Sequence, residues 1–281
     1  MEEAALGGGA VNEVVRIGDT VRRTPSQRPG FVRELLGLFE RAGWPGAPRF
    51  LGVDEQGREM FGYLEGRAAV TSRERTAART DEALVEVARL VRAFHDLTHG
   101  TALAGDEDVV CHNDLAPKNT VYDDLAPKNT VYDDLAPKNT VYTDLAPKNT
   151  VYTDLAPKNT VRTAWRPVAF IDWDLAAPGE RVHDLAHVCW QYLGLGPGVP
   201  DVRDAARRIR LICDAYGLDE RGGLLDTVRW WQDRCWRGIE AGALRGEPAM
   251  VRLRAGGAVD EVRAAEEWVA RHRRELDAFL D

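Results

Sequence analysis

The stretch Val109–Tyr122, VVCHNDLAPKNTVY, decides how the rest of the chain is read. Val109–Cys111 has the composition of a short buried strand. His112-Asn113-Asp114 follows, and Asn119 stands five positions beyond Asp114, giving the spacing H-x-D-x-x-x-x-N. Downstream, Val168–Ile171 is a second apolar run, and it ends on Asp172-Trp173. An amide and two carboxylates are thus placed at the ends of strands, where backbone geometry can aim them at one point.

That set of groups suits phosphoryl transfer. One carboxylate receives or orients the proton of an attacking hydroxyl, while an amide oxygen and a second carboxylate hold Mg²⁺ against nucleotide phosphates. The same stretch is also repeated. DLAPKNTV recurs at Asp124, Asp134, Asp144 and Asp154 with a period of ten, and removing four units leaves 281 − 40 = 241 residues. A proline in every unit forbids one continuous helix. Each unit offers little apolar surface for a neighbour to bury, so the surplus, residues 123–162, is expected to loop out between two strands. Loop closure for forty extra residues costs about a few kcal/mol at most. Identical units create a choice of register, because any NTV could pair near Val168–Ile171. The first copy is favoured, since only it has an apolar strand feeding it and a histidine two residues before its aspartate. The rival arrangement has the last copy supplying the asparagine, with Asp114 still the base.

Upstream, residues 5–25 read as two or three short strands around Gly7-Gly8-Gly9 and the turn Gly18-Asp19. A glycine turn such as Gly8-Gly9 can lay backbone N–H groups over phosphates, although three glycines near a terminus also make a tail. Phe31–Ala42 carries a helical apolar stripe ended by Gly43, and 50–53 with 59–64 form a strand pair. From Thr80 onward the pattern turns helical: Asp81–Thr98, then roughly 183–194, 201–216, 222–243 and 259–280. Seven of the eight tryptophans follow residue 160, which reads chiefly as core packing.

A net charge of −8 argues against a nucleic-acid partner. Four scattered cysteines with no C-x-x-C pair favour reduced thiols. MEEAALGGG lacks the pattern of a signal peptide, and no apolar run reaches the ~20 residues of a membrane span, so no membrane partner and a cytoplasmic location are expected.

With CHNDLAPKN, AFIDWD and PGERVHDLAHV in view, the chain resembles the aminoglycoside phosphotransferase family of small-molecule kinases. The resemblance implies an α+β, protein-kinase-like two-lobe fold, with a small antiparallel-sheet N-lobe over 1–66 and a mainly helical C-lobe over 67–281. It implies ATP and Mg²⁺ as cofactors, and a hydroxylated small molecule, such as an aminoglycoside-like compound, as acceptor. By motif, Asp114 is the implied catalytic base and Asn119 and Asp172 the metal ligands. His112 is grouped with the catalytic residues as a brace of the loop, and Asp184 resembles an aspartate that steadies it, or else caps a helix. The lysine expected on the strand Thr20–Arg23 is missing. Arg22 best matches its position, paired with Glu34, and Ala116 stands where many relatives have a polar side chain. Lys118 could supply that donor. Asp226, Asp233 and Glu240 would suit an aminocyclitol, or simply face solvent. An alternative is a catalytically impaired, kinase-like binding protein with the repeat as an exposed interaction segment. A protein kinase is disfavoured because no activation segment separates Asp172 from the helix near His183.

Overall fold

The structure, a computed structural model, describes residues 4–5, 14–124, 165–278 and 280. Gly8, Gly9 and the repeat copies after Asp124 lie outside the described residues.

Among the described residues the N-terminal part is a five-stranded antiparallel sheet with one helix. Strands β1 (Ala4–Ala5), β2 (Val14–Ile17) and β3 (Thr20–Arg23) precede helix α1 (Pro29–Arg41), and β4 (Phe50–Val53) and β5 (Glu59–Gly62) follow it. The sheet order is β1-β2-β3-β5-β4. Pro29 opens α1, where its missing N–H is no loss. The stripe Val32, Leu35, Leu36 and Phe39 is buried.

The chain leaves this sheet at Gly66, whose φ is +134°. A Cβ there would sit 2.6 Å from the Tyr122 carbonyl oxygen, so only glycine lets the connection cross so close to the next sheet. That sheet is built from β6 (Arg67–Ala68), and it is followed by α2 (Ser72–Ala77), α3 (Asp81–Thr98) and β7 (Val109–Cys111). A 3₁₀ turn at Pro117–Asn119 leads into β8 (Thr120–Asp124), whose first four residues belong to the first repeat copy. Strand β9 (Trp165–Phe170) pairs with β8 in antiparallel register, Thr120 opposite Phe170 and Val121 opposite Ala169. On its other edge β8 pairs with β6. The first copy is therefore held on both sides. A second 3₁₀ turn at Trp173–Leu175 precedes β10 (Ala177–Gly179), which pairs with β7.

The remainder is helical: α4 (Arg181–Leu193), α5 (Val202–Tyr216), α6 (Leu224–Leu244), α7 (Pro248–Ala255), α8 (Ala258–Arg271) and α9 (Arg273–Asp277). The expected helix over 259–280 is broken at His272, because the chain turns to place Leu276 in the core. Helix α7 was not anticipated. It buries no residue, so it carries no apolar stripe for a periodicity argument to find. Among the described residues no helix is long and apolar enough to cross a membrane.

One core cluster runs from α1 through α3 and β9 to the C-terminal helices. Trp173 sits at its hinge. Its Nε1 donates to the Phe170 carbonyl at 3.0 Å, and its indole lies 5.1 Å from Phe39 and from Phe94, and 4.5 Å from the His112 ring. The tryptophan following Asp172 therefore ties the first helix to the loop that carries Asp114.

Candidate active site

Two segments meet here, the loop after β7 and the turn after β9. In each, one non-glycine residue adopts a left-handed backbone: Asn113 with φ 65° and Asp172 with φ 66°. Among the described residues these two are alone in that, and such conformations cost about 1–3 kcal/mol unless their surroundings hold them.

The surroundings do hold them. The buried Asp184 carboxylate, on α4, accepts the backbone N–H of His112 at 2.7 Å and of Asn113 at 2.9 Å. Its Oδ2 also meets His95 Nε2 at 3.1 Å. Burial alone would raise the Asp184 pKa. The His95 hydrogen bond and charge and the Asn113 N–H outweigh it and hold the carboxyl below the usual range. Helix α4 begins after Glu180, so Asp184 lies inside it and is not its cap. The Asn113 amide donates to the Leu175 carbonyl at 3.0 Å and reaches the second segment.

His112 is fully buried. Its Nδ1 accepts the Asp114 N–H at 3.3 Å, which fixes the proton on Nε2, and Nε2 donates to the Ile171 carbonyl at 3.1 Å. With both nitrogens engaged by backbone, the His112 ring is fixed within the loop.

Asp114 and Asn119 form one unit. The Asn119 Nδ2 donates to the Asp114 carboxylate at 2.7 Å and to its carbonyl at 2.9 Å. Two acceptors on the same nitrogen orient the amide, and no described residue donates to Oδ1. The Asn119 carbonyl accepts the Ile171 N–H at 2.9 Å, so the asparagine lies directly beside the strand end carrying Asp172. Asp114 and Asn119 are thereby joined to the strand end that leads into Asp172. Lys118 Nζ stands 3.3 Å from Asp114 Oδ2.

From the N-terminal sheet, Arg23 meets this site. It donates to Asp172 Oδ1 at 3.2 Å and makes a close ion pair with Asp174. Burial raises the Asp174 pKa against the pull of Arg23, with Asp172 and Glu59 adding to the rise. The expected Arg22–Glu34 pair is not formed. Successive strand residues point to opposite faces, and Arg22 instead donates to Asp54 at 3.4 Å. Glu34 is exposed; the ion pair from α1 is Arg33 with the buried Glu59 at 2.8 Å. Arg23 and Asp174 were missed by sequence reasoning. The Asp-Trp-Asp spacing was a usable signal for the second; for the first, neither arginine is distinguishable until the sheet face is known.

Among the described residues one group of three metal-ligand types is clustered, His95, Cys111 and Asp184. Its atoms are already committed: His95 Nδ1 to the Tyr216 hydroxyl at 2.8 Å, Nε2 to Asp184, and the Cys111 thiol to the Glu180 carbonyl. Burial pushes the Cys111 thiol well up. The cluster is a hydrogen-bonded polar core.

His187 is buried beneath the loop, with Nδ1 donating to the Leu115 carbonyl at 2.9 Å. Burial lowers its pKa from 6.5, against the opposing pull of Asp114. The unfolded chain therefore takes up this proton first, and stability falls as pH drops below 6.5. Asp184 adds a second loss as pH falls below 3.8. Thermal unfolding between pH 7.5 and 5 should show a falling Tm in the wild type and a shallower fall in His187→Gln. Equal slopes would reject the assignment.

Comparison with known proteins gives the following. The profile of a family described as "Phosphotransferase enzyme family" matches residues 3–220. A trifolitoxin immunity protein of Rhizobium leguminosarum bv. trifolii is 26% identical over 256 residues, covering 81% of this chain and 79% of that protein. An ethanolamine kinase of Plasmodium vivax superposes with a TM-score of 0.59 at 10% identity, covering 98% of this chain and 83% of that one. A choline/ethanolamine kinase family protein from Mesorhizobium loti gives 0.58 at 15% identity, covering 100% and 92%. The GDP complex of an aminoglycoside 2'-phosphotransferase-IIIa gives 0.54 at 12% identity, covering 97% and 93%. The shared fold is the kinase-like α+β arrangement of an antiparallel sheet and a helical remainder.

Proposed function

Because the chain belongs to the phosphotransferase enzyme family, we propose that it transfers the γ-phosphoryl group of ATP to a hydroxyl of a small molecule. One observation carries the reading: the Asp114 carboxylate, the Asn119 amide and the strand end bearing Asp172 share a single hydrogen-bonded network. Pairing of β8 with β9 keeps that network together, and this supports an active enzyme over an impaired one.

Asp114 faces the acceptor hydroxyl and takes or orients its proton. The hydroxyl oxygen then forms its bond to the γ-phosphorus as the bond to the bridging oxygen breaks, and ADP leaves. Asn119 Oδ1 and the Asp172 carboxylate are hard oxygen donors that fit Mg²⁺. When bound, the ion neutralises charge on the phosphate oxygens. Arg23, rather than Arg22, is the cation on the N-terminal sheet positioned to meet phosphate, and a guanidinium can do so bidentately. His112 and Asp184 position the loop. The N-terminal lobe over 1–66 and the C-terminal lobe over 67–281 would close on the nucleotide from either side.

The test is an ADP-release assay over hydroxylated acceptors, paired with thermal shift under Mg²⁺-ATP. The wild type should be stabilised by Mg²⁺-ATP, lose that gain in EDTA, and turn over with at least one acceptor. Absence of both nucleotide stabilisation and turnover would overturn the proposal. Recovery only after deletion of residues 123–162 would favour an impaired, repeat-bearing binding protein.

A further inference from the structure

A cavity of about 400 Å³ opens beside the Asp114 loop, floored by Ala116, Pro117 and Lys118. It is walled by α2, the end of α4 and α8, and no residue of the N-terminal sheet lines it. Lys118 connects it to the site, since the same side chain lines the cavity and contacts Asp114.

Its charge runs against the chain as a whole. Arg75, Arg79 and Lys118 line it against one carboxylate, Glu261, in a protein of net charge −8. Among the described residues neither Arg75 nor Arg79 forms an ion pair. Arg79 is half-buried. It donates to the Gln191 carbonyl at 3.3 Å, and its Nε is buried with no partner. Gly194 ends α4 with φ +64°, and a Cβ there would crowd the Arg79 guanidinium at 3.2 Å, so the helix end is shaped to admit it. Burial and the neighbouring Arg75 lower the Arg79 pKa, as expected of a cation lacking a counter-charge.

The carboxylates that would suit a cationic acceptor are meanwhile occupied. Asp226 is bound by Arg273, Asp233 by Arg237 at 2.7 Å and Glu240 by Arg263 at 3.6 Å.

We propose that this cavity receives an anionic group, a carboxylate or a phosphate, carried by the hydroxylated acceptor, with Arg79 and Arg75 as its ligands. The assignment rests on the phosphotransferase reading for its description as an acceptor site, but its charge preference can be measured without nucleotide. Isothermal titration of the full chain with gluconate, glycerol 3-phosphate, neutral glucitol and cationic kanamycin separates the cases. One of the two anions should bind, and which one identifies carboxylate or phosphate as the partner. Arg79→Gln should weaken that binding about tenfold, the loss expected for one charge-assisted hydrogen bond. Arg75→Gln, at an exposed position, serves as a second variant should Arg79→Gln not fold, and should also weaken it. Failure of both anions to bind, equal binding of glucitol, preference for kanamycin, or anion binding unchanged in the folded variants would overturn the proposal. Anion binding without phosphoryl transfer would leave it standing and count against the activity alone.

Discussion

Asp114→Ala is expected to lower acceptor phosphorylation by about 10²–10⁴-fold, the usual contribution of a positioned general base, with little change in Tm. The side chain is partly exposed, and its fold-directed neighbour keeps an anchor. Asn119 Nδ2 would lose its bond to the carboxylate but retain the 2.9 Å bond to the Asp114 carbonyl. Mg²⁺-ATP stabilisation should survive as well, because the proposed metal ligands Asn119 and Asp172 are untouched. The measurement is turnover at saturating nucleotide with the best acceptor, beside an unfolding curve. Asp154→Ala is the matching control, since that copy has threonine before its aspartate and no histidine two residues upstream. Unchanged turnover in Asp114→Ala, or turnover lost only in Asp154→Ala, would reject the first copy as the working one.

Asp184→Ala should act through the fold. The substitution leaves the buried backbone N–H of His112, the part-buried N–H of Asn113 and the His95 ring without their acceptor. Removing one partner of a buried charged network costs about 3–5 kcal/mol, on the order of 10 °C in Tm for a domain of this size. Activity should fall with it, because the left-handed Asn113 loses the bond that holds its backbone. Asp184→Asn keeps the shape and one acceptor oxygen, so it should lie between. A Tm change under about 2 °C in the alanine variant would show that the network does not brace the loop.

These two residues illustrate how much could be read in advance. Asp114 and Asn119 were legible because their chemistry lies within five residues of one loop. Helix α3 was legible to its ends because Thr80 accepts the Ala83 N–H as its cap and an unbroken apolar stripe follows. Asp184 was visible only as an aspartate near a helix start. Its partners lie about 70–90 positions away, and nothing local announces which backbone amides a carboxylate will accept.

The same division holds across the protein. The kinase-like two-lobe arrangement was implied by the resemblance of the motifs, while spacing and periodicity determined the strand-rich start, the helical remainder, the Asp–Asn pair and the second carboxylate at a strand end. These follow from interactions between near neighbours, which the chain carries with it however it folds. Tertiary structure decided what depends on register and face. It paired the first repeat copy with β9, turned Arg23 rather than Arg22 toward Asp172, and left Arg75 and Arg79 together at a cavity. Near-identical repeats and adjacent arginines are equivalent along the chain; they become different only when a sheet pairs in one register and presents one face to the cleft.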